Sequence, residues 1–326
     1  MSNPNNSIRV NSLNANNRTP HNDEDSYKYE LNCQSKIDNI KQHNKSPETI
    51  DWLELEKQIP HDSEDYTLFI ALLEKRKHIV VKIGPQQLIG EYNIGKILEE
   101  RVNLPTFLKF YCIFHCIDDF HTLKGKKQDE KSYINSKRKS LCKKHGEKIN
   151  ILVMPYITGD LIYKRIWKRE DFNIFKNIMI HIITSMLYAY SKIGFMHGDL
   201  HLGNVILQHT KRKSISYNDD FFDFGEVKVI GNIMPIIMDY GMSNIEMKTP
   251  EYVYNDLIRI ITLMCSESNL VCNSINIVSF IKNYKSKNVQ ITPKTCNDIC
   301  TKVNEIEIEY DKLNIPPRPA WLNAIK

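Results

Sequence analysis

Short apolar runs occupy the first half of the chain, and longer apolar runs with helical spacing occupy the second half. Residues 77–84 form a β-branched run and residues 149–156 a compact apolar one, and both patterns predict strands. Between them, residues 91–101 repeat apolar positions at helical intervals and predict a helix. Residues 172–191 carry a longer helical pattern that ends at Gly194, because glycine readily adopts the backbone conformation that follows a helix.

The remaining apolar segments also predict strands in the first half, and both strands and a helix in the second half. Residues 66–73 fit either a strand or a helix, and residues 107–117 fit one strand or a pair of strands. Short strands are predicted at 205–207 and 235–238, and a helix at 255–265. The pattern therefore predicts an α+β protein with a strand-rich N-terminal part and a helix-rich C-terminal part.

The composition is that of an ordinary soluble protein: 41% of the 326 residues are hydrophobic and 25% are charged. The net charge of +5 is a mild excess, so we expect no nucleic-acid partner. No apolar run approaches the ~20 residues that a membrane span requires, and the Asn-rich N-terminus does not have the pattern of a signal peptide. These features predict an intracellular protein without a membrane span.

The eight cysteines show no framework of disulfide spacings, which also favours a reducing compartment. Cys112 and Cys116 lie four residues apart, as do Cys296 and Cys300. Neither pair has the Cys-x-x-Cys spacing of a zinc ribbon. We therefore expect buried thiols at these positions rather than a metal site.

Changes in polarity divide the chain into three segments. Residues 1–48 are rich in Asn, Ser and Lys, have no apolar period and predict a disordered tail. Residues 49–157 form the strand-rich part and residues 158–326 the helix-rich part. Within residues 49–157, the stretch 121–148 contains ten Lys or Arg against three Asp or Glu. This favours a solvated loop, the alternative being a docking patch for an acidic partner or nucleic acid.

A polar loop separates the long helical run from the strand at 205–207. Asp199 and Asn204 lie five residues apart in this loop, flanked by His197 and His201. Asp and Asn also favour simple turns. However, a carboxylate that orients or deprotonates a hydroxyl, with an amide oxygen beside it to hold a metal, is what a phosphoryl-transfer loop needs.

Two Asp-aromatic-Gly tripeptides follow the loop, and either could supply a second metal ligand. Asp223-Phe224-Gly225 is nearer to the loop, but the polar residues before it make a poor buried strand. Asp239-Tyr240-Gly241 follows the clean strand at 235–238, so we select Asp239. Residues 208–234 then form an insertion, with a predicted β-hairpin turn at Gly231-Asn232.

With these residues in this order, the chain resembles the protein-kinase-like superfamily. Residues 197–204 match its catalytic loop, and the Asp239 tripeptide matches its metal motif with Tyr in place of Phe. Val80-Val81-Lys82 resembles the strand that carries the ATP-pairing lysine, and Asp256 resembles the buried aspartate that braces the loop. The resemblance spans roughly residues 78–265 and implies a two-lobed kinase fold, with a small β-rich lobe and a larger helical lobe.

The resemblance also implies a role for each matched residue, with ATP and Mg²⁺ as cofactors. Asp199 would accept the proton of the acceptor hydroxyl or align it, while Asn204 and Asp239 would hold Mg²⁺. Lys82 would neutralise the phosphates of ATP. The other implied roles are His201 near the γ-phosphate, Glu91 as the partner of Lys82 (Glu99 or Glu100 being the alternatives), His197 as structural support, and the backbone of Val153, Met154 and Tyr156 for adenine.

The chain departs from the kinase pattern in ways that bear on the acceptor. No glycine-rich motif precedes Lys82, which keeps a pseudokinase scaffold as an alternative. The loop form His-Gly-Asp-Leu-His is shared with small-molecule kinases of the aminoglycoside and choline phosphotransferase type. Residues 91–98, 104–112 and 235–243, however, resemble serine/threonine kinases of large cytoplasmic DNA viruses, including the poxvirus virion kinase type. That resemblance implies a protein acceptor and a location in the host cytoplasm or virion.

Overall fold

A computed structural model of the chain describes Ser35 and residues 53–59, 66–84, 87–118, 142, 146–219 and 222–311. The predicted α+β class is confirmed, since the described residues form an antiparallel sheet of five strands, three smaller sheets and several helices. The predicted tail, apart from Ser35, and most of the basic insert at 121–148 lie outside the described residues.

The five-stranded sheet contains the strands predicted at 66–73, 77–84 and 149–156, and the second half of the segment predicted at 107–117. Its spatial order is β1-β2-β3-β5-β4, and all four pairs are antiparallel. In β2 every second residue is buried, so one face of the sheet packs on a core, and this explains why 66–73 forms a strand and not a helix. The strands are β1 (Leu53–Ile59), β2 (Thr67–Leu73), β3 (Lys77–Gly84), β4 (Cys112–Asp118) and β5 (Glu147–Pro155).

Among the residues that the structure describes, one helix accompanies this sheet. Helix α1 (Gln87–Ile97) continues into a wider π-helical turn, Leu98–Val102, which ends at Asn103 with a left-handed backbone (φ 50°). The chain then reaches β4 through residues that contact the second half of the protein. Ile237 donates its N–H to the carbonyl of Thr106, and its carbonyl accepts from Leu108. The segment predicted as strand at 107–117 begins its strand only at Cys112, and Phe107 and Leu108 pair instead with Ile237, outside the five-stranded sheet.

Helices dominate the second half, as predicted. The long helix α2 (Phe172–Ile193) is apolar around most of its circumference and lies in the core, with Gly194 at its end in the left-handed conformation (φ 63°). The other helices are α3 (Glu251–Glu267), α4 (Ile275–Ser286) and α5 (Pro293–Asn304). A small sheet of order β10-β7-β6 lies with them and consists of β6 (Gly159–Leu161), β7 (Val205–His209) and β10 (Ile233–Ile237).

The insertion at 208–234 does contain a hairpin, but its predicted turn is wrong. Strands β8 (Ser214–Asn218) and β9 (Asp223–Lys228) pair with each other, so the hairpin connection lies between Asn218 and Asp223. Gly231-Asn232, both with positive φ, instead connects β9 to β10, a strand that pairs with β7. Strands β11 (Leu270–Cys272) and β12 (Ile308–Asp311) form a further antiparallel pair.

A buried polar network joins the β8–β9 hairpin to α2. The ring Nδ1 of His181 lies 3.0 Å from the hydroxyl of Tyr217, which lies 3.2 Å from Ser185 Oγ. Ser185 in turn lies 2.7 Å from the hydroxyl of Thr106, on the segment that contacts Ile237. All four side chains are buried, so these hydrogen bonds satisfy polar groups that would otherwise destabilise the core.

The expectation of buried thiols at four cysteines is wrong for two of them, Cys112 and Cys116. Cys116 is bonded to Cys142 and Cys265 to Cys272, and Cys112 is also disulfide-bonded. Cys296 and Cys300 are free and buried, as predicted. The spacing of the cysteines did not reveal these disulfides, because two cysteines pair when the fold brings them close together, and spacing does not show this. Among the described helices, none combines the length and apolarity needed to traverse a bilayer.

Candidate active site

The polar loop between α2 and β7 is attached to α3 through its backbone. The N–H of His197 donates to Oδ2 of Asp256 at 2.8 Å, and the N–H of Gly198 lies 3.2 Å from both carboxylate oxygens. Gly198 has a left-handed backbone (φ 78°), and a side chain there would collide with the carbonyl of Met242. The buried carboxylate of Asp256 therefore holds the loop in place through three contacts with two N–H groups.

The side chain of His197 connects the loop to the strand that leads to Asp239. Its Nε2 lies 2.9 Å from the carbonyl of Met238, which can only accept, so Nε2 carries the proton. Its Nδ1 then accepts from the backbone N–H of Asp199 at 3.3 Å. Burial lowers the pKa of His197, which favours this neutral form. His197 is therefore bonded to the backbone of both the loop and the strand before Asp239.

The carboxylate of Asp199 is partly exposed and lies beside the side chains of Arg259 and His201. Nη1 of Arg259 donates to its Oδ1 at 2.7 Å. Nε2 of His201 lies 3.5 Å from Oδ2, while Nδ1 of the same ring accepts the N–H of Gly203 at 3.0 Å. In the neutral ring Nε2 therefore carries the proton and directs it toward Asp199.

Asn204 is buried beside Asp199 and next to the strand before Asp239. Its side-chain nitrogen donates to the carbonyl of Asp199 at 3.0 Å, so its amide oxygen is the atom that could bind a cation. Its backbone carbonyl accepts the N–H of Met238 at 3.0 Å. This bond places the ends of the loop and of β10 side by side.

Lys82 of β3 brings the two halves of the protein together. Its buried ammonium group lies 2.8 Å from Oε2 of Glu91 on α1 and 2.8 Å from Oδ1 of Asp239. Glu99, an alternative partner in the sequence, instead forms an ion pair with Lys96 at 2.7 Å. The structure therefore places Lys82, Glu91 and Asp239, which are distant in sequence, in one cluster.

In this cluster, burial and the neighbouring opposite charges shift the pKa values of Lys82 and Asp239 in opposite directions. Burial alone would lower the pKa of Lys82, but the carboxylates of Glu91 and Asp239 outweigh it and the pKa is raised. Burial raises the pKa of Glu91. Burial also acts to raise the pKa of Asp239, but Lys82 outweighs it and the pKa is lowered. Lys82 and Asp239 consequently favour their charged forms.

The two Asp-aromatic-Gly tripeptides lie in different surroundings. Asp239 has a left-handed backbone (φ 64°), a conformation that is rare for residues other than glycine and is tolerated best by Asp and Asn. This conformation accompanies the contact between its carboxylate and Lys82. Asp223 begins β9, is exposed and pairs with Asn218 in the β8–β9 hairpin. Of the two aspartates, Asp239 is the one that contacts Lys82.

The aromatic residue of the Asp239 tripeptide is buried and anchors that turn. The hydroxyl of Tyr240 lies 3.0 Å from the carbonyls of both Leu108 and Ile237, so it connects the turn to the segment before β4. Its ring packs edge-on against Phe110 and Phe195. A phenylalanine at this position could pack in the same way but could not make these hydrogen bonds.

Sequence reasoning missed two contributors to the site. Tyr66, which precedes β2, places its ring 4.0 Å from Lys82 Nζ and its hydroxyl 3.4 Å from Oδ2 of Asp239. Arg259 follows Asp256 by one helical turn, the only sequence signal that could have linked it to the loop. Neither residue belongs to a local motif, so only the tertiary structure reveals them.

The residues predicted to face adenine lie at the end of β5. Val153 is fully buried, and its carbonyl accepts the N–H of Tyr111 at 3.0 Å. Met154 is buried next to it and pairs with Val80 of β3. Tyr156 lies beyond the strand and is 42% exposed. Binding of adenine by this segment stays a prediction.

The site coincides with a recognised type of domain. Residues 143–261 match the family of the ABC1 atypical kinase-like domain, a stretch that includes Asp199, Asn204, Asp239 and Asp256 but not Lys82. The fold is kinase-like, as the sequence resemblance predicted. The family match supports a phosphotransferase.

Three relatives match shorter stretches. An 84-residue stretch is 33% identical to a probable serine/threonine-protein kinase of Dictyostelium discoideum, covering 24% of this chain and 7% of that protein. An uncharacterized protein of Invertebrate iridescent virus 6 is 33% identical over 26% of this chain and 7% of its own length. An uncharacterized protein of Caenorhabditis elegans is 29% identical over 24% of this chain and 25% of its own length. The chain thus spans a quarter or less of each relative, and the matches support a protein-kinase-like family.

Proposed function

We propose that the protein transfers the γ-phosphate of ATP, with Mg²⁺, to serine or threonine hydroxyls of proteins. The observation that carries the proposal is the position of Lys82 between Glu91 and Asp239, at 2.8 Å from each. A buried lysine held by two carboxylates is a fixed positive charge, which is what the phosphates of a nucleotide require. Asp199 and Asn204 lie on a loop that is bonded to the strand before Asp239.

The residues at the site fit Mg²⁺. Asp239 and Asn204 offer a carboxylate and an amide oxygen, the hard ligands that Mg²⁺ prefers, and two protein ligands leave room for phosphate and water. The pKa of Asp239 is lowered, so its carboxylate is ionised and suited to a cation. When bound, Mg²⁺ would neutralise phosphate oxygens and so lower the charge that opposes transfer.

Asp199 is the residue of this chain that would handle the acceptor hydroxyl. Its carboxylate is partly exposed, so a hydroxyl can approach it from solvent, and it would orient that hydroxyl and take its proton. Asn204 holds the backbone carbonyl of Asp199 at 3.0 Å and so limits movement of the loop. His201 directs its Nε2 toward the same carboxylate and would stay near the transferred phosphate.

The choice of a protein acceptor rests on the resemblance to serine/threonine kinases and on the partial match to the Dictyostelium protein. The resemblance to kinases of large cytoplasmic DNA viruses stays a prediction, with a partial match to an iridescent-virus protein in its favour. A small-molecule kinase is the second candidate, because the loop carries His201 in the form His-Gly-Asp-Leu-His that such kinases share.

The test is transfer of labelled γ-phosphate from ATP and Mg²⁺ to serine- and threonine-containing proteins and peptides of acidic, neutral and basic composition. We expect transfer by the unchanged protein and a loss of at least about 100-fold with Asp199→Ala, since a positioned base contributes roughly that much. Asp223→Ala is the matched control, because Asp223 is an exposed aspartate in the β8–β9 hairpin.

Three other outcomes would change the proposal. Transfer only to an aminoglycoside or an amino alcohol would replace the protein acceptor with a small molecule. Nucleotide binding without transfer to any acceptor would contradict the enzymatic proposal and favour a pseudokinase. A loss of transfer with Asp223→Ala but not with Asp239→Ala would show that our assignment is wrong and that Asp223 belongs to the metal motif.

A further inference from the structure

Arg259 lies at the exposed edge of the candidate active site. It follows Asp256 by three residues on α3, so the two side chains leave the same face of the helix. Asp256 holds the backbone of the polar loop, whereas Arg259 reaches the side chain of Asp199, with Nη1 2.7 Å from Oδ1. While it makes this bond, 47% of the arginine side chain is exposed to solvent.

The guanidinium group has more donors than this contact uses. Arginine presents five N–H groups in a planar fork, a geometry that matches carboxylate and phosphate. The described contact with Asp199 engages one nitrogen, Nη1. The exposed part of Arg259 can therefore bind a second anion that approaches from solvent, on the side from which an acceptor must reach Asp199.

A second side chain near Asp199 also offers a hydrogen-bond donor. His201 places Nε2 3.5 Å from Oδ2, so donors lie near both oxygens of the carboxylate. A lysine or arginine next to the acceptor hydroxyl would approach Arg259 and be repelled. An acidic group in the same position would be attracted, because consecutive residues are only about 3.8 Å apart along a chain.

We infer that Arg259 selects protein acceptors in which a carboxylate or phosphate lies next to the target hydroxyl. This inference rests on the proposed function and adds the class of substrate: acidic peptide segments. Arg259 has two tasks in this arrangement, since it positions Asp199 through one nitrogen and binds the acidic group of the acceptor through the others. The inferred acceptor is acidic, whereas a generic kinase assay uses a basic protein as acceptor.

The experiment uses the full chain, Mg²⁺-ATP and four peptides that are identical except for the residue after the target serine. That residue is Asp, phosphoserine, Ala or Lys, so the first two arms distinguish a carboxylate from a phosphate. For the unchanged protein we expect kcat/KM to be about tenfold or more higher with an acidic neighbour than with Ala, the effect of one hydrogen bond to a charged group. The Lys peptide should be the poorest acceptor.

Substitution of Arg259 should remove this discrimination. With Arg259→Ala, transfer to every peptide should fall because Asp199 loses a partner, but the ratio of acidic to Ala peptide should approach one, mainly through a higher KM for the acidic peptide. The KM for ATP should stay unchanged. Arg259→Lys, which keeps the charge without the fork, should retain part of the preference. Arg101→Ala is the control, since Arg101 is an exposed arginine outside both α3 and the polar loop.

Several results would overturn the inference. Equal transfer to the acidic and Ala peptides by the unchanged protein would do so even if Arg259→Ala failed to fold. So would an unchanged ratio in Arg259→Ala, or a raised KM for ATP with equal losses on all peptides, which would place the arginine on the nucleotide instead. Absence of transfer to any hydroxyl would contradict the proposed function, and this inference with it.

Discussion

The ammonium group of Lys82 lies 2.8 Å from Oδ1 of Asp239, an ion pair between residues that are 157 positions apart. Lys82 belongs to the five-stranded sheet, and Asp239 follows the last strand of the small sheet in the helical half. The pair therefore joins both halves of the protein at the candidate active site. Under the proposed function, a nucleotide bound at Lys82 would lie next to the carboxylate that we propose as a metal ligand.

The role of Asp239 as a metal ligand can be separated from that of Asp223 by nucleotide binding. We expect Asp239→Asn to abolish the increase in Tm that Mg²⁺ and a non-hydrolysable ATP analogue produce, because the amide lacks the charge that attracts the cation. Asp223→Asn should leave that increase unchanged. At a ligand concentration of about 100 Kd the stabilisation is about 2.7 kcal/mol, which is readily measured. If Asp223→Asn abolished the increase in Tm and Asp239→Asn did not, the metal ligand would be Asp223 of the β8–β9 hairpin.

Two glycines of α1 should respond to alanine in opposite directions. Gly90 is exposed with open space around it, so Gly90→Ala should stabilise the protein by roughly 0.5–1 kcal/mol, as expected from helix propensity. A methyl group at Gly95 would overlap the ring of Phe110 and approach Tyr240. Gly95→Ala should therefore destabilise the protein by about 1–3 kcal/mol despite the same gain in propensity.

The Gly95 substitution should also impair catalysis. Glu91 lies one turn before Gly95 on the same face of α1, so displacement of the helix from Phe110 would move Glu91 from Lys82. We expect phosphate transfer to fall with Gly95→Ala and to persist with Gly90→Ala. Thermal unfolding and transfer measured on both variants provide the check, and equal behaviour of the two would contradict the packing argument.

The hydroxyl of Tyr240 should contribute to stability more than to chemistry. Tyr240→Phe keeps the ring contacts but removes the hydrogen bond to the carbonyls of Leu108 and Ile237. We expect the free energy of unfolding to fall by about 1–2 kcal/mol, the usual effect of losing one buried hydrogen bond, with transfer reduced only a few-fold. Tyr252→Phe, at an exposed tyrosine of α3, should change neither quantity. An unchanged denaturation midpoint for Tyr240→Phe would refute this prediction.

Stability should decrease in mild acid because of His181. Burial lowers the pKa of this histidine from 6.5 to about 4. Between these pH values the unfolded chain binds the proton and the folded protein does not, so the free energy of unfolding falls as pH drops below 6.5. The full effect corresponds to roughly 3 kcal/mol and is reached near pH 4.

The measurement is denaturant unfolding at a series of pH values for the unchanged protein and for His181→Gln. The difference between the two should shrink as pH falls from 6.5 toward 4, because glutamine does not titrate. Comparing the two proteins cancels the contribution of His197, whose pKa burial also lowers. His209→Gln, at the exposed end of β7, is the control. Parallel curves for the unchanged protein and His181→Gln would contradict the assignment to His181.

Much of the framework of the site could be predicted because it depends on local patterns. The β-branched run of β3 and the apolar helix α2 were recognised from their periods, and Gly194 marked the helix end. The interval between Asp199 and Asn204 is itself local, since both lie on one loop between adjacent elements. For these features, residues near in sequence are also near in space.

Predictions failed where the partner was distant in sequence. The turn at Gly231-Asn232 has the right residues for a hairpin, but β10 pairs with β7 instead of β9 because that pairing buries its five apolar residues. Cys116 and Cys142 are likewise joined by a fold that brings the end of β4 near a distant segment. Turn preferences and cysteine spacing do not contain this information.

The amino-acid sequence by itself determined which chemical groups are available: a loop with Asp199 and Asn204, two Asp-aromatic-Gly tripeptides and a lysine on a buried strand. Only the tertiary structure decided that Asp239 contacts Lys82 and that Arg259 contacts Asp199. The physical reason is that an ion pair depends on the distance between side chains. Residues 60 or 157 positions apart come within this short distance only after the sheet and helices have packed.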